Sequence, residues 1–323
     1  MNAKSLFIKV YWDTRAGHVK QTRGLIQALT ELTSVKVIDV FLPEYGFWRS
    51  FSDWIVFAAS FFRSRGKTHP LQTDLIIGTG SHTHIPMLLY QKKNKGKVVT
   101  CMTPDWPLAK YMDLCFIPEH DSPKKADNVF ITTGPPNTAR NINAHDPEQG
   151  LIVIGGIDKK THHWNNEKII LQIRHILKTK TDIFWTVSTS PRTPEKIISM
   201  LAMLGKEFSD MIFTPFEKTP QGWIEEQYAK SEFAWVSADS VSMVYEALSA
   251  GCRVGVLSVE WKSRQGKLAH AIELLEKNNK ILSFEAWKND IAWPAHTGLN
   301  EASRCAVEIL RRWWPERLQK NKC

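Results

Sequence analysis

The sequence predicts an α/β protein made of two doubly wound, Rossmann-like parallel-sheet domains, and three observations carry that expectation. Its 323 residues exceed what one core of ~100–150 residues organises. Short β-branched or aromatic runs alternate with longer helical stretches, the mark of βαβ units and parallel pairing. The alternation breaks once, in the Pro-, Asn- and Gly-rich stretch GPPNTARNINAHDPEQG at 134–150, and then begins again.

The first half reads LFIKVYW, helical TRGLIQALTEL, VKVIDVFL, DLIIGTG, KVVTCMT, DLCFIP and NVFITT. After the linker come LIVIGG, a helix near 165–179, DIFWTVSTS, a helix near 194–204, MIFTPF, a helix near 222–231, FAWVSAD, a helix near 242–250 and RVGVLSV. A last helix near 299–314, LNEASRCAVEILRRWW, has apolar residues at helical spacing. The expected organisation is therefore a first domain over 1–140, a second over 150–298, and a terminal segment 299–323 returning to the first.

Apolar residues make up 43% of the chain and charged residues 23%, which places it with soluble globular proteins and excludes a disordered chain. Forty-two Lys and Arg against 33 Asp and Glu leave a net charge of +9, which suits a phosphate-bearing partner but equally a basic protein without one. Cysteines 101, 115, 252, 305 and 323 form no C-x-x-C pair or zinc spacing, and a reducing compartment is expected. The opening apolar run is interrupted by Lys9 and lacks the pattern of a signal peptide, so it reads as a strand of a cytoplasmic protein.

In open α/β sheets ligands bind outside the carboxyl ends of the strands, so polar clusters there are the candidates for chemistry. The first strand ends in Asp13, Arg15, Gly17 and His18, with Gln21 one turn on. Asp13 and His18 are candidate general bases, able to take a proton from an attacking hydroxyl. Alternatively Asp13 caps the helix and His18 lies on the surface. Gly78-Thr79-Gly80-Ser81-His82-Thr83-His84 marks another strand end whose N–H groups suit an anion. His82 and His84, at i,i+2, do not share a helix face, and no metal site is expected. Asp105 and the pair His120-Asp121 end two further strands, the latter as an oriented base or a plain turn.

In the second half Gly155-Gly156 ends the opening strand, and Ser188, Thr189, Ser190 and Arg192 end the next. Hydroxyls beside a guanidinium suit a diphosphate, while SPRTP also reads as a helix start with Thr193 as N-cap and Pro194 at N1. The richest segment is Asp239, Ser240, Ser242, Met243 and Glu246, where a strand meets a hydroxyl-rich helix N-terminus. Phosphate would sit on that N-terminus and Glu246 would accept from ribose hydroxyls; alternatively Asp239 and Ser240 are caps.

Residues 47–64, FWRSFSDWIVFAASFFRS, place Phe47, Phe51, Trp54, Ile55, Ala58, Phe61 and Phe62 on one helical stripe. The stretch is too short and polar to span a bilayer, and reads either as an interfacial helix or as a core helix. Lys92, Lys93, Lys95, Lys97 and the terminal RRWWPERLQKNKC add positive charge that an anionic inner leaflet would attract.

D-x-R-A-G-H at 13–18 with Gln21 and Gly24-Leu25, G-T-G-S-H-T at 78–83, P-x-H-D at 118–121, G-P-P-N at 134–137, S-x-R-T-P at 190–194 and D-S-V-S-M-x-x-E-A at 239–247 together resemble the mitochondrial-fission ELM family. That family includes plant proteins named for organelle division and bacterial relatives assigned as glycosyltransferases of the cell envelope. The resemblance implies a GT-B-like fold, two domains facing a central cleft, and a nucleotide-sugar donor used without cofactor or metal. The donor would lie on the second domain. A lipid-linked or envelope saccharide of the lipopolysaccharide type would be the acceptor at the first, with peripheral membrane contact through 47–64 and no nucleic-acid partner. The competing expectations are a non-catalytic recruitment protein and a nucleotide-sugar epimerase.

Overall fold

The computed structural model describes residues 4–43, 47–60, 73–296 and 298–318, and of 47–51 the backbone alone. The chain divides into two compact units, Met1–Thr138 with Asn300–Cys323, and Ala139–Leu299.

Unit 1 runs β1 (Leu6–Trp12), α1 (Ala16–Leu32), β2 (Val35–Phe41), α2 (Phe47–Ala59), β3 (Leu75–Gly78), α3 (Ser81–Asn94), β4 (Lys97–Thr100), β5 (Leu114–Pro118) and β6 (Val129–Thr132). All pairings in its sheet are parallel, in the order β2-β1-β3-β4-β5-β6. Strands β3 and β5 are buried throughout, as strands covered on both faces must be. On one face α1 buries Thr22, Gly24, Leu25, Ala28 and Leu29, a helical stripe. A Cβ on Gly24 would run into the backbone carbonyl of Asn137, so the G-P-P-N loop lies directly on this helix.

Unit 2 runs β7 (Asp146–Val153), β8 (His162–His163), α4 (Asn166–Thr179), β9 (Phe184–Ser188), α5 (Glu195–Glu207), β10 (Met211–Thr214), α6 (Trp223–Lys230), β11 (Ser231–Ser237), α7 (Val241–Ala250), β12 (Arg253–Leu257), β13 (Glu260–Trp261), α8 (Lys267–Lys277), β14 (Leu282–Ser283) and α9 (Phe284–Lys288). Its main sheet is again all parallel, in the order β10-β9-β7-β11-β12-β14. Strands β8 and β13 form a separate antiparallel pair. The second α/β sheet is the one the repeated pattern predicts.

The last helix, α10 (Glu301–Trp313), belongs to unit 1. It places Ala302, Cys305, Ala306, Ile309 and Leu310 in the same apolar cluster as Leu25, Ala28 and Leu29 of α1. Full burial of each large aliphatic side chain contributes roughly 1.5–3 kcal/mol.

Helix α2 corrects the predicted apolar stripe. Phe57 is buried and Trp54 half-buried, while Ile55, Val56 and Ala58 face outward. Phe57 meets Tyr111 edge-on at 5.6 Å and packs with the cluster under α3. The side chains of Phe47 and Phe51, together with residues 61–64 and 319–323, lie outside the described residues. Among the described residues no helix is long and apolar enough to cross a membrane.

Candidate functional site

Each sheet has one point where consecutive crossovers leave in opposite directions. In unit 1 the chain goes from β1 outward to β2 and returns to β3 on the other side of β1. In unit 2 it goes from β7 to β9 and β10, and returns to β11 on the other side of β7. Such switch points open a crevice at the strands' carboxyl ends. The two polar clusters singled out in the sequence fall there.

At the β1/β3 point Asp13 is buried and hydrogen-bonded to the His18 ring through Oδ2 and Nδ1. It also accepts the Thr14 N–H at 2.7 Å. The helix begins after Arg15, which has no side-chain cap, so Asp13 is not a helix cap. Burial pushes the Asp13 carboxyl up, but hydrogen bonds from His18 and Thr14 and the charges of His18 and His82 outweigh it and hold the carboxyl below its ordinary value. Gly80 has φ +115°, and a Cβ there would lie 2.9 Å from both Asp13 Cγ and His18 Nδ1. A side chain at Gly80 would therefore break the pair.

Below this pair Thr22 Oγ1 donates to Thr79 Oγ1 at 3.0 Å, and Thr83 Oγ1 donates to Gly80 O at 2.8 Å. Gln21 Oε1 is buried without a hydrogen-bond partner among the described residues. His84 is fully buried, its Nε2 3.2 Å from Thr100 Oγ1 and its Nδ1 without a partner. Burial first, then the charges of His18 and His82, push its pKa down to about 4. It is a neutral core histidine.

At the β7/β11 point Asp239 is the hub, its side chain 0% exposed. It accepts the Gly156 N–H at 2.9 Å, the Ser237 hydroxyl at 2.7 Å and Arg192 Nη2 at 2.9 Å. Ser237 Oγ in turn accepts the Gly155 N–H at 2.7 Å. Arg192 also donates to Ser240 Oγ at 3.1 Å and to Gly156 O at 3.3 Å. Ser190 Oγ and Thr193 Oγ1 both donate to Gly155 O. A Cβ on Gly155 would collide with the Asp239 carboxylate, and one on Gly156 with the Arg192 carbonyl. Both glycines are dictated by backbone approaching backbone and carboxylate.

The capping alternative for Asp239 and Ser240 does not hold. Ser240 stands at the N-cap of α7 but makes no side-chain cap bond, and Asp239 turns to the loop after β7. The first turn of α7 thus keeps its N–H groups free of a side-chain cap, beside exposed Ser242 and half-buried Met243. Glu246 is buried on that helix, and its charge, after burial itself, raises the pKa of buried Tyr228. The helix after SPRTP starts one residue later than the motif suggests, with Pro194 as N-cap. Thr193 is spent on Gly155 O instead.

Ser188 and Thr189 are buried at the end of β9, and Thr189 Oγ1 accepts the Phe216 N–H at 3.0 Å. On the first sheet Ser81 and Asp105 are exposed, His82 is half-buried and Thr83 buried. His120 and Asp121 lie in a short 3-10 turn after β5, where Asp121 Oδ2 accepts the Thr103 hydroxyl at 3.3 Å. In the sheet order β5 is separated from β1 by β3 and β4. Arg15 and Gly17 are exposed, and nothing lies within 4 Å of a Cβ on Gly17. Three hydroxyls carry much of the second cluster: Ser190, which the sequence places beside Arg192 as a phosphate ligand, Thr193, which it reads as an N-cap, and Ser237, to which it gives no role although a hydroxyl at the end of a strand was the available signal. Among the described residues no group of three or more His, Cys, Asp or Glu is arranged to hold a metal ion.

Two parallel-sheet units, each with a polar cluster at its switch point, define a GT-B-like α/β protein. The chain belongs to the mitochondrial fission ELM1 family, whose model matches residues 16–313. No curated protein matches it in sequence. Among solved structures it is similar to a UDP-N-acetylglucosamine 2-epimerase assigned in Listeria monocytogenes, at TM-score 0.55 and 13% identity over 96% of this chain and 97% of that one. Another UDP-N-acetylglucosamine 2-epimerase matches at TM-score 0.50 and 15% identity over 96% and 97%. S. aureus MnaA, solved with UDP, matches at TM-score 0.50 and 15% identity over 99% of each chain. At these identities the shared property is the fold.

Proposed function

We propose that this protein is a glycosyltransferase that moves a sugar from a nucleotide-sugar held by unit 2 to an acceptor hydroxyl presented at unit 1. The observation that carries this reading is the α7 N-terminus without a side-chain cap, beside Gly155–Gly156 at the β7/β11 switch point. Free N–H groups and the helix dipole favour a phosphate there, and the bare glycines admit it close to the backbone. Arg192, anchored by Asp239 yet with a side chain 42% exposed, turns its solvent side to the diphosphate. Ser188, Thr189, Ser240, Ser242, Met243 and Glu246 surround the nucleotide, and no metal is needed to balance it.

On unit 1 the Asp13–His18 pair supplies the base. Asp13 accepts from Nδ1–H and fixes the ring, leaving Nε2 to take the proton of the attacking hydroxyl while the carboxylate stabilises the imidazolium that forms. Arg15, Gly17, Gln21, Ser81, His82, Thr83, Asp105, His120 and Asp121 belong to the acceptor side. The acceptor proposed is a lipid-linked or envelope saccharide of the lipopolysaccharide type. Exposed Ile55 and Val56 and the net charge of +9 are consistent with peripheral contact with an anionic membrane.

Calorimetry with UDP, GDP, ADP and CMP tests the donor site. One of them is expected to bind, and Gly155→Ala is expected to abolish it. If none binds, the transferase reading fails. The relation in fold to 2-epimerases calls for one more arm, in which the cognate donor is incubated alone. Formation of an epimer without acceptor would replace transfer by epimerisation.

A further inference from the structure

A cavity of about 80 Å³ opens beside α2, lined among others by Asp53, Trp54, Ser81, His82, Ile85 and Asp105. These residues come from three places that the sequence keeps apart: α2, the first two turns of α3 and the loop after β4. The composition of the wall is specific. Two carboxylates and a serine hydroxyl can each bond a hydroxyl group, while the Trp54 ring and Ile85 offer an apolar face.

A pyranose presents that same pairing, with C–H groups on its faces and hydroxyls around its edge. At about 30 Å³ per water the cavity replaces roughly two or three waters, which fits one polar edge of a sugar ring rather than a whole saccharide. An apolar tail or a bare phosphate would face Asp53 and Asp105, which favour neither. His82 joins this cavity to the Asp13–His18 pair, since it lines the one and its charge acts on the other.

We propose that this cavity is the acceptor-sugar subsite, in which Asp53 and Asp105 accept hydrogen bonds from neighbouring ring hydroxyls and Trp54 packs against the C–H face. The proposal deepens the transferase reading and rests on it for the word acceptor. It gives α2 a role in substrate recognition besides any contact with a membrane. It also makes Asp105 a binding residue and not a base.

The test is saturation-transfer NMR on the full chain with the methyl glycosides of glucose, galactose, mannose and N-acetylglucosamine at millimolar concentration. At least one is expected to bind, and Asp105→Asn and Asp53→Asn are each expected to weaken it at least tenfold. Trp54→Ala is expected to abolish the signal. Asp105 is exposed, so its variant folds whatever happens at Trp54. Absence of binding by all four glycosides, or binding unchanged in both Asp variants, overturns the proposal. Nucleotide calorimetry on the same samples separates the two claims. Retained nucleotide binding with no glycoside binding sinks the subsite alone, whereas glycoside binding with no nucleotide binding sinks the transferase and leaves a saccharide site.

Discussion

Arg192 Nη2 lies 2.9 Å from Asp239 Oδ2, yet the arginine side chain is 42% exposed and the aspartate 0%. The two ends of this pair therefore differ in what their loss exposes. Asp239→Ala would strand three donors, the Gly156 N–H, the Ser237 hydroxyl and the guanidinium, and is expected to cost about 2–4 kcal/mol. Arg192→Ala leaves Asp239 with two donors and its own site half in water, and should cost about 1–2 kcal/mol. Urea unfolding of the two variants checks the order. A larger loss from Arg192→Ala would mean that the hub is misassigned.

Stability should fall with acid in two steps. His84 titrates at about 4 in the folded protein against an ordinary 6.5, so the unfolded chain binds its proton first. Its contribution is complete above pH 6.5 and is lost as the pH falls toward 4, by roughly 3 kcal/mol in all. The Asp13 carboxyl is held below its ordinary 3.8, so its contribution is present above that value and lost further down. Urea midpoints from pH 7 to 3 should show His84→Gln flattening the upper step, and Asp13→Asn removing the lower one.

Much of this was legible in sequence because it is local. Strands of a covered parallel sheet are predominantly apolar, so LFIKVYW, interrupted only by Lys9, and DLIIGTG announce themselves, and a polar group at such a strand's end, as at Asp13, falls where a crevice can open. What stayed hidden depends on chain segments far apart. The pairing of His162–His163 with Glu260–Trp261 is two residues long and leaves no periodic signal. The bonds from Gly155 to Ser237 and from Arg192 to Asp239 span 82 and 47 positions, so Arg192 reads as a free phosphate ligand until the fold places Asp239 beside it. Trp54 reads as one residue of an apolar stripe, with Asp53 among the polar residues around it, because the spacing of a helix cannot say which side α3 will cover.

The glycines at the two sites separate structural need from ligand approach. Gly80→Ala forces a side chain onto the Asp13–His18 pair at φ +115°, and Gly155→Ala forces one onto Asp239, so each should cost about 1–3 kcal/mol. Gly17 sits in the first turn of α1 with open space around it, and Gly17→Ala should raise stability by about 0.4–1 kcal/mol. If a ligand must pass close to Gly17, this stabilised variant will lose turnover while its melting temperature rises. Melting curves and acceptor kinetics on the same samples read both effects.

Unit 1 should depend on a helix that arrives about 170 residues after its own sheet is finished. Ile309 is fully buried among Leu25, Leu29 and strands of the first sheet, so Ile309→Ala is expected to cost about 2–5 kcal/mol. Leu171 of α4 is 65% exposed, and Leu171→Ala should stay within about 0.5 kcal/mol. The ion pairs of Glu308 with Arg311 and Arg312, at 2.8 and 2.5 Å, hold the exposed side of α10 but do not replace the apolar contact. Hydrogen exchange then locates the damage. In Ile309→Ala the amides of β1 and β3 should lose protection while those of β7 and β11 keep theirs, because α10 packs into the first core and none of its buried residues lies in the second. Equal loss in both sheets would show that the two units unfold as one.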